Sequence, residues 1–166
     1  MKIGQYSLVP GLAIEAARLM SSMIRYSRSG EVMTSACSNS ATSLLLSLLN
    51  SPHPQLINET LVSLCLLSAM LPPPADLVHQ IDPEFTAKKI QEILQMEESR
   101  CPKEVKYNAI TLMHNILKWN MVSVSEHFQI IDPHSIQKYE NDLPIIQEMK
   151  DLLSRGKLMI ISIIFK

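Results

Sequence analysis

The stretch that decides the fold reads Leu44-Leu45-Leu46-Ser47-Leu48-Leu49-Asn50-Ser51-Pro52 and, after a second proline, continues into Leu61-Val62-Ser63-Leu64-Cys65-Leu66-Leu67. Its leucines recur at the three- and four-residue spacing that is typical of the buried face of an amphipathic helix. Pro52 and Pro54 mark a turn, because proline interrupts a helix interior but is tolerated in a first turn. The stretch therefore predicts a shorter helix, a short turn and a longer helix.

The same helical period covers most of the remaining chain. It predicts longer helices near residues 11–28, 54–71 and 102–121 and shorter ones near 38–50 and 83–98. Asp82-Pro83 and Asp132-Pro133 each place a capping carboxylate before a proline, which marks a helix start. The last helical region, 133–155, is expected to divide at Pro144. Weak two-residue alternation occurs near residues 123–131, and the fold class is expected to be all-α.

The apolar pattern repeats along the chain. Six positions of the first longer helix align with six of the second at an offset of 45 residues, and these align with six of the third at an offset of 48. Helical solenoids have repeats of similar length, because each repeat is one helical unit that buries its apolar face against the next. The aligned positions are Leu12, Ala16, Ala17, Leu19, Met20 and Ile24; Ile57, Leu61, Val62, Leu64, Cys65 and Ala69; and Val105, Ala109, Ile110, Leu112, Met113 and Leu117.

The segment from Leu44 to Leu67 resembles an armadillo repeat, in which a leucine-rich second helix passes through a short polar turn into a longer third helix. The resemblance covers residues 41–120, and HEAT repeats share nearly the same pattern. It implies a right-handed solenoid of about three armadillo-like or HEAT-like repeats over residues 1–157. The alternative is an irregular helical bundle. The apolar tail, residues 158–166, is rich in Ile and has no Pro, which favours a strand, or an aggregation-prone segment if it is exposed.

The overall composition excludes several classes of function. Fifteen Lys and Arg nearly balance sixteen Asp and Glu, so a strong field for nucleic acid or an anionic membrane is not expected. Four glycines leave little for phosphate-binding loops. Three irregularly spaced cysteines favour a reducing compartment, and hence the cytoplasm or nucleus. The longest apolar run, residues 61–71, is shorter than a membrane-spanning helix.

The common catalytic and metal-binding motifs are missing from the sequence. It has no glycine-rich phosphate loop, no His-Glu-x-x-His helix and no Gly-x-Ser-x-Gly turn. We therefore expect no catalytic residue, no cofactor and no metal. A zinc site built from the scattered histidines and Cys101 is the remaining alternative. His114 is expected to be partly buried or groove-facing, and Cys65 to behave as a small buried apolar residue.

We call the six aligned apolar positions of each longer helix the apolar template. Polar side chains recur on the opposite side of these helices, and stacked repeats would align them along a concave groove. Such a groove would suit an extended peptide or a partner helix. Trp119 is either an anchor for a partner or a cap on the core, and the core is favoured. The candidate groove residues are Arg18, Ser22, Arg25, Thr60, Ser63, Asn108, Thr111, Asn115, Lys118 and Trp119.

The function expected from these observations is that of a non-catalytic scaffold for protein interaction. The chain is interpreted as a fragment or truncated isoform of a longer repeat protein, with possible self-association through an unfinished repeat end that the tail partly covers. A second hypothesis is a purely structural segment of a longer solenoid whose working surface lies elsewhere. The third is an enzyme or metal protein whose site the sequence does not reveal.

Overall fold

The structure is a computed structural model that describes residues 10–26, 30–31, 34–35, 41–70, 72–119 and 122–164. All regular secondary structure in these ranges is helical, which confirms the all-α prediction. The short 3₁₀ turn Phe128–Ile130 follows the seventh helix. The helices are α1 (Pro10–Tyr26), α2 (Ala41–Leu48), α3 (Pro54–Ser68), α4 (Ala75–Gln80), α5 (Pro83–Gln95), α6 (Lys103–Leu117), α7 (Val122–His127), α8 (Pro133–Gln137) and α9 (Ile145–Ile164).

The longer helices form one row. Helix α1 packs against α3, α3 packs against α6, and α6 packs against α9. The shorter helices pack on this row, with α2 against α3 and α5 against α6. Beyond α5, the 3₁₀ turn, α7 and α8 close the far side of the core. The row of longer helices therefore organises the surface on which a site could be built.

The main hydrophobic core lies between the longer and the shorter helices. Leu45 of α2 and Leu61 of α3 meet Ile90 of α5 and Ile110 of α6 there, and all four are fully buried. Ile146 and Met149 extend the core into α9. Burial of large aliphatic side chains at helical spacing is the main source of stability for such an arrangement.

The apolar template predicted from the repeats holds best in the middle of the chain. All six positions on α6 are buried, whereas on α3 three of the six are buried and Ala69 is exposed. On α1, Ala17 and Ile24 are buried, but Leu12 and Leu19 are 61% and 62% exposed. The prediction for α1 was therefore largely wrong, because this helix rests on α3 through a different stripe that includes Ser21.

Both predicted helix starts are confirmed. The carboxylate of Asp82 accepts a hydrogen bond from the backbone N–H of Phe85 at 3.0 Å, at the start of α5. The carboxylate of Asp132 accepts one from the backbone N–H of His134 at 3.0 Å, at the start of α8. In each case the next residue is a proline, which has no N–H to leave unpaired.

The segment near residues 123–131, where the alternation is weak, forms α7 and the 3₁₀ turn, in line with the all-α prediction. The expectation of a strand in the tail was wrong, since α9 continues to Ile164. Helix α4 follows the triple proline and was not predicted from the sequence. In the part of the chain that is described, no helix is long and apolar enough to cross a membrane.

Lys106 is a buried basic residue that the sequence pattern did not single out. Its Nζ donates to the backbone carbonyl of Leu94 at 3.5 Å and to that of Met96. These carbonyls lie at the end of α5, where a helix leaves acceptors without internal partners. Lys106 therefore joins α6 to the C-terminal end of α5.

Candidate functional site

Polar side chains join α3 to α6 along one edge of the row. The amide nitrogen of Asn108 donates to Asn58 Oδ1 at 2.9 Å, and Cys65 Sγ donates to the backbone carbonyl of Asn108 at 3.2 Å. All three residues are half-buried, so each is covered by its neighbour helix and still borders the surface. The α3–α6 seam is therefore held by side-chain hydrogen bonds as well as by apolar contacts.

The second half of this seam is built by Asn115 and Trp119. Asn115 Nδ2 donates to the backbone carbonyl of Cys65 at 3.0 Å and to Ser68 Oγ at 3.2 Å. Trp119 Nε1 donates to the backbone carbonyl of Ser68 at 3.2 Å. Both carbonyls belong to the last turn of α3, and that of Cys65 also accepts from the backbone N–H of Ala69 at 3.1 Å. Asn115 and Trp119 thus cap α3 from the neighbouring helix.

A cleft of about 490 Å³ opens at the other end of the seam, where α3 and α6 begin. Its lining combines proline and valine surface with the side chains of a glutamine, an asparagine and a glutamate. A second cleft, of about 400 Å³, shares Pro54 and extends toward the turn after α5. The first cleft is lined by Pro54, Gln55, Asn58, Pro102, Glu104 and Val105. It is the candidate binding site that the structure adds to the sequence prediction.

The candidate residues on α1 lie on the exposed side of that helix. Arg18 forms ion pairs with Glu15 at 2.8 Å and with Glu59 of α3 at 3.4 Å. Ser22 and Arg25 are exposed. Arg18 is therefore already engaged in holding α1 to α3, while Arg25 is open to solvent.

At the next contact along the row, α6 meets α9 through charged and polar groups. His114 Nε2 lies 2.8 Å from Glu148 Oε2, and Lys118 Nζ lies 3.6 Å from Glu148 Oε1. The hydrogen bond with His114, and secondarily the charges of His114 and Lys118, lower the pKa of Glu148. Tyr107 donates to Asp142 at 2.6 Å, which raises the pKa of Tyr107 to about 12. Lys118 is exposed but paired, and His114 is buried, as one of the alternatives predicted.

Three candidate residues do not reach an open surface. Thr60 and Ser63 are fully buried on α3, and Ser63 Oγ lies 2.6 Å from Ser21 Oγ of α1. Trp119 is only 8% exposed and belongs to the core, which was the favoured interpretation of that residue. The placement of Thr60 and Ser63 in a groove was an error of helical register, because α3 buries both residues and turns Ser63 toward α1.

The face that remains accessible runs along both helices of the seam. On α6 it consists of Asn108, Thr111, Asn115 and Lys118, as the sequence pattern indicated. Thr111 is half-exposed, and its hydroxyl donates to the carbonyl of Tyr107 in its own helix at 2.9 Å. On α3 the accessible residues are Gln55, Asn58 and Val62, which recur at helical spacing but were missed because the aligned register pointed to Thr60. We call the seven residues Gln55, Asn58, Val62, Asn108, Thr111, Asn115 and Lys118 the outer face.

The polar side chains of the outer face are four amides, one hydroxyl and one ammonium group. Burial raises the pKa of the Cys65 thiol to about 12, although the residue as a whole is only partly covered. Burial also raises the pKa of Cys101, and the positive charge of Lys106 partly opposes this shift. Within the described ranges no three His, Cys, Asp or Glu side chains come together in a group that could hold a metal ion. Amide and hydroxyl groups beside apolar clefts suit the recognition of a polypeptide.

Comparison with curated proteins shows a partial similarity. The chain is 29% identical over 105 residues to the Rap1 GTPase-GDP dissociation stimulator 1-B of Xenopus laevis. The aligned part is 62% of this chain and 16% of the Xenopus protein, so the chain spans a small share of that relative's length. No protein-family model matches the chain. No solved structure matches it either.

Proposed function

We propose that this chain is a segment of an armadillo-like or HEAT-like helical solenoid and serves as a non-catalytic scaffold for protein interaction. The observation that carries this proposal is the row of helices α1, α3, α6 and α9. The shorter helix α2 packs on α3, and the shorter helix α5 packs on α6. Solenoids are built by stacking such helix pairs, and each pair contacts mainly its neighbours. The repeat of the apolar template on α3 and α6 is in keeping with this arrangement.

The outer face is the proposed binding surface. It presents the amide and hydroxyl groups of Asn58, Asn108 and Thr111 next to the cleft between Pro54 and Pro102. An extended peptide needs hydrogen-bonding groups for its backbone and apolar hollows for its side chains, and a partner helix needs the hollows alone. Both could use this surface. The three cysteines without disulfide-like spacing favour a cytoplasmic or nuclear setting for such a scaffold.

The similarity to the Xenopus protein suggests a class of partner. By its name, that protein stimulates the dissociation of GDP from the Rap1 GTPase. We extend this to the present chain as a proposal: its outer face contacts a small GTPase of the Rap1 kind. Because the aligned region is a small part of the relative, we propose binding only and do not extend the exchange activity to this chain.

The proposal is tested by titrating the purified chain into Rap1 loaded with a fluorescent GDP analogue and following fluorescence anisotropy. Thr111→Arg adds bulk and charge at the middle of the outer face without removing a contact between helices. We expect it to weaken binding at least about tenfold, an effect of about 1.4 kcal/mol. The matched control is Lys88→Glu, an exposed substitution on α5, which packs on the other side of α6 and should bind like the wild type.

Two outcomes would contradict the proposal. One is the absence of binding by the wild-type chain at concentrations up to about 100 μM, which corresponds to a binding free energy weaker than about 5.5 kcal/mol. The other is an equal loss in Thr111→Arg and Lys88→Glu. Circular dichroism of each variant shows whether the helices are retained. Absence of binding with retained helices would favour the structural hypothesis, in which the working surface lies elsewhere.

A further inference from the structure

The exposed side of α1 carries an apolar seam with a regular spacing. We call Leu12, Ala16, Leu19, Met23 and Tyr26 the α1 seam; they follow one another in steps of four, three, four and three residues. All five are exposed, and the four large side chains are between 56% and 75% exposed. Alternating steps of three and four are the pattern by which two helices pack in a coiled coil. The buried stripe of α1, which includes Ala17 and Ile24, points elsewhere, toward α3.

We propose that the α1 seam is a self-association surface on which a second copy of this chain docks in antiparallel orientation. In an antiparallel pair with its twofold axis near the level of residue 21, Leu19 packs against Met23 of the second copy, and Ala16 packs against Tyr26 of the second copy. The twofold axis repeats each of these contacts once. Small side chains then face large ones, which is how helix interfaces are filled without voids.

The opposite orientation fits the same residues poorly. A parallel pair would place Tyr26 against Tyr26 and Ala16 against Ala16, which crowds one end of the seam and leaves a gap at the other. The charges do not decide the orientation, because at about 3.6 residues per turn Arg25 lies on a flank of α1 that faces away from the seam. Glu15 is already paired with Arg18 of the same helix at 2.8 Å.

The size of the seam sets the expected strength. Residues 12–26 span roughly 21 Å of helix. One face of a helix of this length buries less area than the roughly 800 Å² per partner of a standard interface. The dimer should therefore be weak and dependent on concentration. It also leaves the outer face free, because the α1 seam and the α3–α6 seam lie on different helices. Self-association and partner binding can thus be measured separately.

The first test is sedimentation velocity of the whole chain from about 1 μM to about 1 mM, the range in which an interface of this size associates. We expect the weight-average mass to rise from one chain toward two. Leu19→Glu should raise the dissociation constant at least about tenfold, because it places a charge in the central layer. The matched control is Leu44→Glu, which alters another exposed leucine, on α2, and should not change the dissociation constant.

A second test reads the orientation through cross-linking with a short bismaleimide in a Cys37→Ser background. Ser22→Cys should cross-link to its counterpart, because in the antiparallel pair the two positions differ by about 3 Å along the axis. Ala16→Cys should not, since its two copies are then about 15 Å apart along the axis. A mass of one chain at every concentration would overturn the proposal. So would an equal effect of Leu44→Glu, or cross-linking by Ala16→Cys in place of Ser22→Cys.

Discussion

The hydroxyl oxygens of Ser21 and Ser63 lie 2.6 Å apart and join α1 to α3 inside the protein. Both also lie near the backbone carbonyl of Glu59, at 3.1 Å and 3.0 Å. The contact between these helices is therefore partly polar, and α1 leaves most of its large apolar side chains at the surface. Buried hydroxyls with partners contribute modestly to stability, whereas buried hydroxyls without partners lower it.

Thr60, one turn before Ser63 on α3, tests this difference. Its Oγ1 is buried and has no hydrogen-bond partner among the residues that the structure describes. Thr60→Val keeps the shape of the side chain and removes the unpaired hydroxyl, so we expect the free energy of unfolding to rise by about 1 kcal/mol. Ser63→Ala removes a paired hydroxyl and should lower it by about 1 kcal/mol. Urea unfolding followed by circular dichroism measures both, and a loss of stability in Thr60→Val would show that its hydroxyl is paired.

Leu19, Leu64 and Leu112 occupy the same position of the apolar template but differ in exposure. Leu19 is 62% exposed, whereas Leu64 and Leu112 are buried. Replacing Leu64 or Leu112 by Ala should lower the free energy of unfolding by about 2–5 kcal/mol, because a cavity remains in the core. Leu19→Ala should change it by less than about 0.5 kcal/mol. Chemical unfolding at a dilution that keeps the chain monomeric gives all three values, and a large loss for Leu19→Ala would contradict the described packing of α1.

The helical period and the helix starts could be predicted from the sequence because they depend on neighbouring residues. Asp82 and Asp132 act within four residues of themselves, and the core positions on α6 follow from spacing alone. The burial of α1 could not be predicted in this way. Leu19 matches Leu64 in sequence, but its exposure depends on how many neighbours α1 has in space.

The same distinction holds for the candidate site, of which some residues could be predicted from the sequence and others could not. Asn108, Thr111 and Asn115 were found because α6 is buried through its whole template, so the opposite side is unambiguous. Thr60 was misplaced and Asn58 was missed because the template does not hold on α3, where three of its six positions are buried. The cleft between Pro54 and Pro102 arises from two helix starts that are 48 residues apart, and no local pattern indicates it.

The two cysteines that the structure describes should be unreactive in the folded protein. Cys65 has a pKa of about 12, so at pH 8 roughly one thiol in 10⁴ is ionised, and the thiolate is the reactive form. Cys101 is buried, and its pKa is also raised. We expect iodoacetamide to label both residues slowly under native conditions and fully in guanidinium chloride. Peptide mass mapping measures this, and native labelling of Cys65 at the unfolded rate would show that α3 and α6 separate readily.

The contact between His114 and Glu148 should make the docking of α9 dependent on pH. The pKa of Glu148 is below its ordinary value of 4.5 in the folded protein, mainly because of its hydrogen bond with His114. A carboxylate with a lowered pKa adds stability that is fully present above its ordinary pKa and is lost as the pH falls through the lowered one. Glu148→Gln should therefore lower Tm at neutral pH, and the difference from the wild type should shrink as the pH falls below 4.5.

Asp151→Asn removes an equal charge whose hydrogen bond is to Gln147 of the same helix, and it should lower Tm less at neutral pH. Thermal unfolding across this pH range decides the matter: a difference that persists in acid, or an equal effect of Asp151→Asn, would show that the ion pair does not hold α9 to α6.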